Sequence, residues 1–461
     1  MRRVHFIGIG GYSMSGLALA LHAQGIAVTG SDVRPSARTD RLLAAGVPVA
    51  FGHRPENLGD ADTVVYTTDV PEDNPERRAA RDRGLRLLHR SEILAGLLAG
   101  RRTILVTGSH GKTTTTSMIG VVLAHAGWDP LVLVGGEVDA FEGANVRLGS
   151  GAWAVAEADE SDGSLVRYAP TVAVLTNVEP EHLDHYGGSF ERLVATLAGF
   201  AAKVPPEGLA VLGIDDPRLR RLAETLTGPV ATYGLDTAAE WTARILRRDP
   251  FGTAFEAWWQ GSPLATVRLR VPGRHNVANA LAALAVASFL GIAPETAAAA
   301  LARFGGAHRR FELLAAQDGI LVVDDYAHHP TEIRATLAAA RQVSRGRVLA
   351  VFQPQRYTRT RQLWDGFVEV LGDADSMLVL DVYAPAGETP DPAVSGRRLA
   401  EAAASAHPSR RVRYAPGLPW AVDWLEAHAR PGDLVLSMGA GDVWRVTHAL
   451  AARLKGRRPP V

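Results

Sequence analysis

Gly108-Ser-His-Gly-Lys-Thr113 sets two glycines, a lysine and a hydroxyl within one short stretch. Each of these types has a task toward a chain of phosphates. Gly108 and Gly111 let backbone N–H groups come close to anionic oxygens, Lys112 places a compact charge between the outer phosphates, and Thr113 offers its hydroxyl to a magnesium ion. The spacing departs from GxxxxGK[ST], which needs a glycine at position 106, where Val106 stands. The competing reading is an ordinary glycine-rich turn. Composition favours the phosphate site: of 49 Lys plus Arg only three are lysines, Lys112, Lys203 and Lys455. A chain that writes arginine almost everywhere keeps lysine where a planar guanidinium does not fit.

Carboxylates and an imidazole follow. Glu157 closes an apolar run and begins Glu157-Ala-Asp-Glu-Ser-Asp162; a second run ends in Asn177-Val-Glu-Pro-Glu-His182. Glu157 reads as a magnesium ligand and His182 as a second one. Oxygen-rich ligation with one imidazole suits magnesium or manganese rather than zinc. Asp159, Glu160 and Asp162 read as a solvated charged face. Asn occurs six times in the chain, and two of these, Asn276 and Asn279, stand three residues apart at the start of an Ala-rich helix. Asn276 would serve as a helix cap; the pair together favours contact with a base or with the phosphate loop.

Two further regions carry polar clusters. Near the N-terminus Val4-His-Phe-Ile-Gly8-Ile-Gly10-Gly11 is a strand running into a glycine turn, with a helix from Met14 and a strand Ala27–Asp32 behind it. Asp32 is placed to reach a ribose hydroxyl, although the glycine fingerprint is incomplete, with Ser13 at its third position. Beyond residue 308, four apolar runs end in Asp324-Asp325-Tyr326-Ala-His328-His329, Gln353-Pro-Gln355-Arg356-Tyr-Thr-Arg359, Asp381 to Glu388, and Gly439-Ala-Gly-Asp442. The arginines there suit an anionic substrate.

The elements that must position these groups are parallel strands, because open α/β sheets build their sites at strand carboxyl ends. Runs such as Thr103–Val106, Thr171–Thr176 and Arg347–Phe352 are continuously apolar, as strands buried on both faces are. Residues 208–271 read as strands and turns. The expected architecture is α/β with three domains: an N-terminal Rossmann-like domain over 1–99, a central P-loop-type ATPase with a parallel sheet over 100–307, and a C-terminal Rossmann-like domain over 308–461. With 461 residues, 47% hydrophobic and net charge +0, neither nucleic acid nor an anionic membrane is favoured as a partner. There is no cysteine, which removes disulfides and thiol nucleophiles. Without a signal peptide or a spanning run, a cytoplasmic location is expected.

Taken together, Gly8-Ile-Gly-Gly, Gly108–Thr115, Glu157–Asp162, Thr176–His182, Asp324–Glu332 and Phe352–Thr360 resemble the Mur ligases, and within them the alanine-adding branch. The resemblance covers essentially the whole chain. It implies ATP-dependent joining of L-alanine to the carboxylate of UDP-N-acetylmuramate through an acyl phosphate, in peptidoglycan precursor synthesis, by a monomer or homodimer. The alternative it leaves is a ligase that attaches a ready-made tripeptide to the same sugar. It assigns ATP to Gly108, Ser109, His110, Gly111, Lys112, Thr113, Thr114, Asn276, Asn279, Arg310 and Asp325. It assigns the metals to Thr113, Glu157 and His182, and the UDP substrate to Gly8, Gly10, Gly11, Met14, Ser15, Asp32, Thr67 and Arg90. Tyr326, His329, Arg356 and Arg359 are implied where substrate and alanine meet, with Lys112, Glu157, His182 and His329 as the catalytic set. Departures from the family pattern are Tyr12-Ser13 for Ile-Gly, Thr67-Thr68-Asp69 for Ser-Ser-Ala, and Gln355 for a histidine. No lysine stands between Leu193 and Phe200, so the carbamylated lysine of several sister ligases is absent.

Overall fold

The computed structural model describes residues 1–384 and 388–456. Among these residues the strands form three sheets, of five, ten and six strands. This is the three-domain α/β architecture expected from the strand-and-cluster rhythm. By compactness the chain divides into two units, one of Met1–Ile245, Phe255–Arg268 and Asn276–Gly305, the other of Leu246–Ala254, Leu269–His275 and Gly306–Val461. No helix among the described residues is long and apolar enough to cross a membrane.

In the first unit, the N-terminal sheet runs Val49–Phe51, Ala27–Asp32, Arg3–Ile7, Thr63–Tyr66, Arg86–His89 in space, all parallel. The helix after the glycine turn spans Tyr12–Ala23, two residues earlier than expected. In the central sheet the strand Arg102–Thr107 lies between Trp153–Glu157 and Val172–Leu175, again in parallel. Every residue of Val172–Leu175 is buried, as a strand covered on both faces requires. One expectation needs correction. Residues 208–271 are not strands and turns alone, because Pro217–Thr225 is a helix. Asp216 caps it by accepting the Arg218 N–H and Pro217 occupies its first turn, a start signal that the mixed polar composition of the segment hid.

In the second unit, the sheet order is Glu312–Gln317, Ile320–Asp325, Leu434–Met438, Val348–Phe352, Ser376–Val379, Arg411–Tyr414. Only the Glu312–Gln317 edge pairing is antiparallel. Helix Pro330–Val343 starts at Pro330, with His329 as the capping residue that accepts the Thr331 N–H. The clusters after Asp325, Phe352, Val379 and Met438 therefore all leave carboxyl ends of parallel strands. Pro385–Gly387, part of the third cluster, lies outside the described residues.

Candidate active site

The phosphate loop follows the strand Arg102–Thr107. Register pairs Val106 with Glu157 on one side and Thr107 with Leu175 on the other. Both polar clusters of the central sheet therefore begin beside the loop. The second cluster clamps it. Asn177 accepts the His110 N–H on its side chain at 2.8 Å and the Ser109 N–H on its carbonyl at 3.1 Å. Thr176 Oγ1 donates to His110 O at 2.6 Å, and the Glu179 N–H donates to Ser109 Oγ at 2.8 Å. His110 Nε2 lies 3.2 Å from Glu179. Ser109 and His110, assigned to ATP by resemblance, thus shape the loop with their own side chains.

Two glycines are forced by geometry. Gly108 has φ +125°, and a Cβ there would lie 2.3 Å from Thr176 Oγ1. Gly111 has φ +83° in the left-handed region, and a Cβ there would lie 2.8 Å from Asn279 Oδ1. Asn276 and Asn279 are both buried, with Asn279 Nδ2 donating to Asn276 Oδ1 at 3.3 Å. Helix Arg274–Phe289 starts two residues before Asn276, so Asn276 is not its cap. Asn279 sits against the phosphate loop, one of the two contacts read from the scarce amides.

Lys112 Nζ donates to Gly108 O at 2.6 Å and forms an ion pair with Glu160 Oε1 at 2.9 Å. The reading of Asp159, Glu160 and Asp162 as a solvated face is overturned. The side chains of Glu160 and Asp162 are almost wholly buried, and Arg90 Nη2 bridges Asp159 and Asp162 at 2.8 Å each. Burial pushes the Glu160 carboxyl up to about 7, with Asp159 adding to the rise and Lys112 opposing it. Burial would lower the Lys112 ammonium, but Glu160 and Asp159 outweigh that and raise it. Burial likewise works against the Asp159 carboxylate, and Arg90 and Lys112 overcome it, holding the group below its ordinary range. Charge runs at the surface repel one another. This one is buried because basic partners from elsewhere in the chain meet it, which sequence spacing does not reveal.

Glu157 Oε1 accepts the Gly135 N–H at 2.5 Å, so the backbone of the neighbouring strand aims this carboxylate. Gly135 and Gly136 were missed from sequence. A Cβ at Gly135 would lie 2.8 Å from Glu157 Oε2, and one at Gly136 would lie 3.2 Å from Thr113 Cγ2. This pair of glycines leaves room around the two groups assigned to one metal. Hydroxyl and carboxylate donors at adjacent strand ends fit a hard divalent cation. His182 has φ +54°, uncommon for a residue with a Cβ, at the start of the turn Leu183–Tyr186.

At the first glycine turn, Asp32 accepts the Gly10 N–H at 2.8 Å and the Val33 N–H at 2.7 Å, so its carboxylate shapes the turn itself. The Arg38 guanidinium stacks 3.9 Å over the ring of Tyr12 and donates to Gly10 O at 2.6 Å. The Tyr12 departure therefore has a partner, and Arg38 is a turn residue that sequence reading missed. Met14 is 1% exposed and packs in the core. Ser15 is buried, with its hydroxyl donating to Gly11 O and accepting from Asn145 Nδ2. The structure thus brings neither the Met14 nor the Ser15 side chain to the open face of the turn, because both point inward from the first turn of the helix. Thr67 Oγ1 accepts the Asp69 N–H at 3.0 Å.

In the second unit, Asp325 accepts the Phe311 and Ala327 N–H groups at 2.7 Å each, and burial pushes its carboxyl up to about 6. Arg310 lies 3.7 Å from Glu332 and 5.2 Å over Tyr326. Arg309, which the sequence reading passed over, donates to Asp324 at 3.0 Å and to Gly439 O at 2.6 Å, and it also lies over Tyr326. It ties two strand-end clusters together. Arg359 donates to Gln355 Oε1 at 2.8 Å, which gives the Gln355 departure a structural partner. Arg356 has φ +66° at the start of helix Tyr357–Gln362. His329 Nδ1 accepts the Thr331 N–H at 3.3 Å as a helix cap.

Three family models match in succession: the Mur ligase family catalytic domain over residues 3–102, the Mur ligase middle domain over 106–287, and the Mur ligase glutamate ligase domain over 309–441. The UDP-N-acetylmuramate–L-alanine ligase of Symbiobacterium thermophilum is 50% identical over 470 residues, covering 99% of this chain and 95% of that protein. The crystal structure of UDP-N-acetylmuramate–alanine ligase from Thermotoga maritima superimposes with a TM-score of 0.85 at 30% identity, covering 99% of each chain. A murein peptide ligase from Psychrobacter arcticus gives 0.73 at 27% identity, covering 100% of each. With all three domain models matched in order around a clamped phosphate loop, the chain belongs to the Mur ligase family.

Proposed function

We propose that this chain joins L-alanine to the carboxylate of UDP-N-acetylmuramate with cleavage of ATP to ADP and phosphate, in the cytoplasm, as a monomer or homodimer acting on small molecules rather than on nucleic acid or membrane. The observation that carries this reading is the loop Gly108–Thr113, held between two strand-end clusters with Lys112 at its centre. The 50% identity to an alanine-adding relative over nearly the whole chain supports the choice of substrate. The structural likeness to the murein peptide ligase is weaker, which ranks the tripeptide alternative second.

The functional division we propose is 1–99 for the UDP-sugar, 100–307 for ATP, and 308–461 for the amino acid. The turn Gly8–Gly11 is assigned to the UDP-sugar; its own N–H groups are held by Ser31 O, Asp32 and Gly8 O, and Asp32 and Arg38 fix its shape. Thr67 and Arg90 are assigned to the same substrate. Lys112 and the N–H groups at the helix start, Gly111 to Thr113, face the triphosphate, those of Ser109 and His110 being held by Asn177, with Thr114, Asn276 and Asn279 alongside. Thr113, Glu157 and His182 would hold magnesium or manganese, and that charge would offset the repulsion between a carboxylate and the γ-phosphate. The substrate carboxylate attacks the γ-phosphorus to give an acyl phosphate, and the alanine amine displaces phosphate from the acyl carbon. Arg310 and Asp325 are assigned to the nucleotide; Tyr326, His329, Arg356 and Arg359 to substrate and alanine.

The test is phosphate release from ATP with magnesium and UDP-N-acetylmuramate, with and without L-alanine. Release that needs both substrates and yields an amide product is the expected result. Turnover supported only by the tripeptide would transfer the assignment to the peptide-adding branch.

A further inference from the structure

Glu160 has no role in the chemistry just described, yet its carboxylate is the anion that Lys112 holds. Three acceptors surround the ammonium: Gly108 O at 2.6 Å, Ser109 O at 3.4 Å and Glu160 Oε1 at 2.9 Å. Two of these are loop carbonyls. The third is a charged group from another strand end, and it is 2% exposed. The main chain at Glu160 is pinned, because the buried Tyr186 hydroxyl donates to Glu160 O at 2.5 Å. The carboxylate itself is held less firmly. Its Oε2 is buried and makes no hydrogen bond among the described residues. Backbone fixed and side chain tethered through one oxygen is an arrangement that lets the carboxylate swing away without moving the sheet.

An ammonium buried against a carboxylate is already neutralised. A phosphate oxygen reaching Lys112 must therefore share the charge with Glu160 or take its place. Sharing would put two anions against one ammonium where the Glu160 side chain is almost wholly buried and Asp159 adds a further negative charge, which is costly at close range. We propose that Glu160 is a placeholder for phosphate: it keeps Lys112 oriented across the loop while nucleotide is absent, and a nucleotide phosphate displaces it on binding. Glu160 is thus a positioning residue, acting through Lys112, that sets nucleotide affinity by competing for it. This rests on the reading of Gly108–Thr113 as the phosphate loop.

The experiment is a double-mutant cycle with the full-length protein, titrated with ADP by calorimetry in magnesium and again in EDTA. E160Q removes the competing charge and keeps the shape. Exchange predicts about tenfold tighter ADP binding by E160Q in both conditions, and no such gain when E160Q is added to K112M, where there is no ammonium to compete for. E160D retracts the carboxylate by one methylene and is expected to tighten binding in the same direction by a smaller factor; it stands in should E160Q not fold. Unchanged or weaker binding by both variants overturns the proposal. Weakening seen only with magnesium would make Glu160 a metal ligand instead. An equal gain in the K112M background would reduce the effect to general charge repulsion and also overturns exchange. If K112M alone leaves ADP affinity unaltered, it is the phosphate-loop reading that fails, and that result is separate from any outcome for Glu160.

Discussion

Asn279 occupies the space that a side chain at Gly111 would need: its Oδ1 would lie 2.8 Å from a Cβ placed there. Gly111 is also held at φ +83°. Left-handed backbone alone costs an alanine about 1–2 kcal/mol. The contact with Asn279 adds a steric demand, and the amide has little freedom to retreat because it is buried against Asn276. G111A is therefore expected to lower kcat/KM for ATP at least tenfold. The control is Gly127, which has φ +81° with open space around it. G127A should cost about 1 kcal/mol of stability and leave ATP kinetics unchanged. Equal kinetic effects of the two variants would remove the argument for steric shaping of the loop.

Gly135 makes a parallel case for the carboxylate assigned to the metal. Its N–H aims Glu157, and a Cβ would press on the same carboxylate from 2.8 Å. G135A should raise the magnesium concentration needed for half-maximal activity severalfold, while E157Q should abolish saturation by magnesium altogether. Both should keep the far-UV circular dichroism of the parent. A G135A enzyme with unchanged magnesium dependence would show that Glu157 does not hold the ion.

The strand-end logic made much of this site legible. Continuous apolar runs marked the buried strands, and the residues following them marked the loops, which is why Lys112, Glu157 and Asp325 could be set at strand ends without coordinates. Spatial order could not be read. Nothing in the spacing says that Val172–Leu175 and Trp153–Glu157 both flank Arg102–Thr107, so the clamp of Thr176 and Asn177 on the loop was invisible. Charge partners over long separations were hidden for the same reason. Glu160 lies 48 positions from Lys112 and looked like one more acid in a solvated run. Helical phase was hidden too: the glycine motif named Met14 and Ser15, and the helix turns both side chains inward. Gly135 and Gly136 carried no signal beyond being adjacent glycines in a glycine-rich chain.

Arg90 joins the first sheet's last helix to the acidic cluster through Asp159 and Asp162. Removing its charge strands two carboxylates, one of them nearly buried. R90M is expected to destabilise the protein by about 2–4 kcal/mol, the figure held down because Asp159 is partly solvated. R90K should recover part of this, since a single nitrogen of Arg90 makes both contacts. Thermal or urea unfolding measures the stability. If Arg90 also meets the UDP-sugar, R90K should raise KM for that substrate more than for ATP; proportional changes in both would restrict Arg90 to a structural role.

Glu76 gives the clearest pH dependence. Its side chain is wholly buried, yet it accepts hydrogen bonds from Ser31 Oγ at 2.5 Å, Asn57 Nδ2 at 2.6 Å and the Arg54 N–H at 3.2 Å. His5 and His53 lie at 3.4 and 3.5 Å. Burial alone would raise the carboxyl, but the hydrogen bonds from His5, His53, Ser31 and Asn57 reverse this and hold it well below its ordinary 4.5. A depressed carboxyl contributes stability that is present above pH 4.5 and lost as pH falls. The hydrogen bond to Glu76 also raises His53 above 6.5, against burial. A raised histidine contributes stability that is present below 6.5 and lost as pH rises through its folded value. The two contributions overlap between pH 4.5 and 6.5. E76Q should therefore cost the most in that window, about 3 kcal/mol, with the gap from the parent narrowing in acid as Glu76 takes a proton and narrowing less toward pH 8 as His53 loses one. Urea midpoints at pH 4, 5.5 and 8 decide the matter. A parent-to-variant gap that widens in acid would mean that Glu76 is neutral in the folded protein and that its five partners are held by something other than its charge.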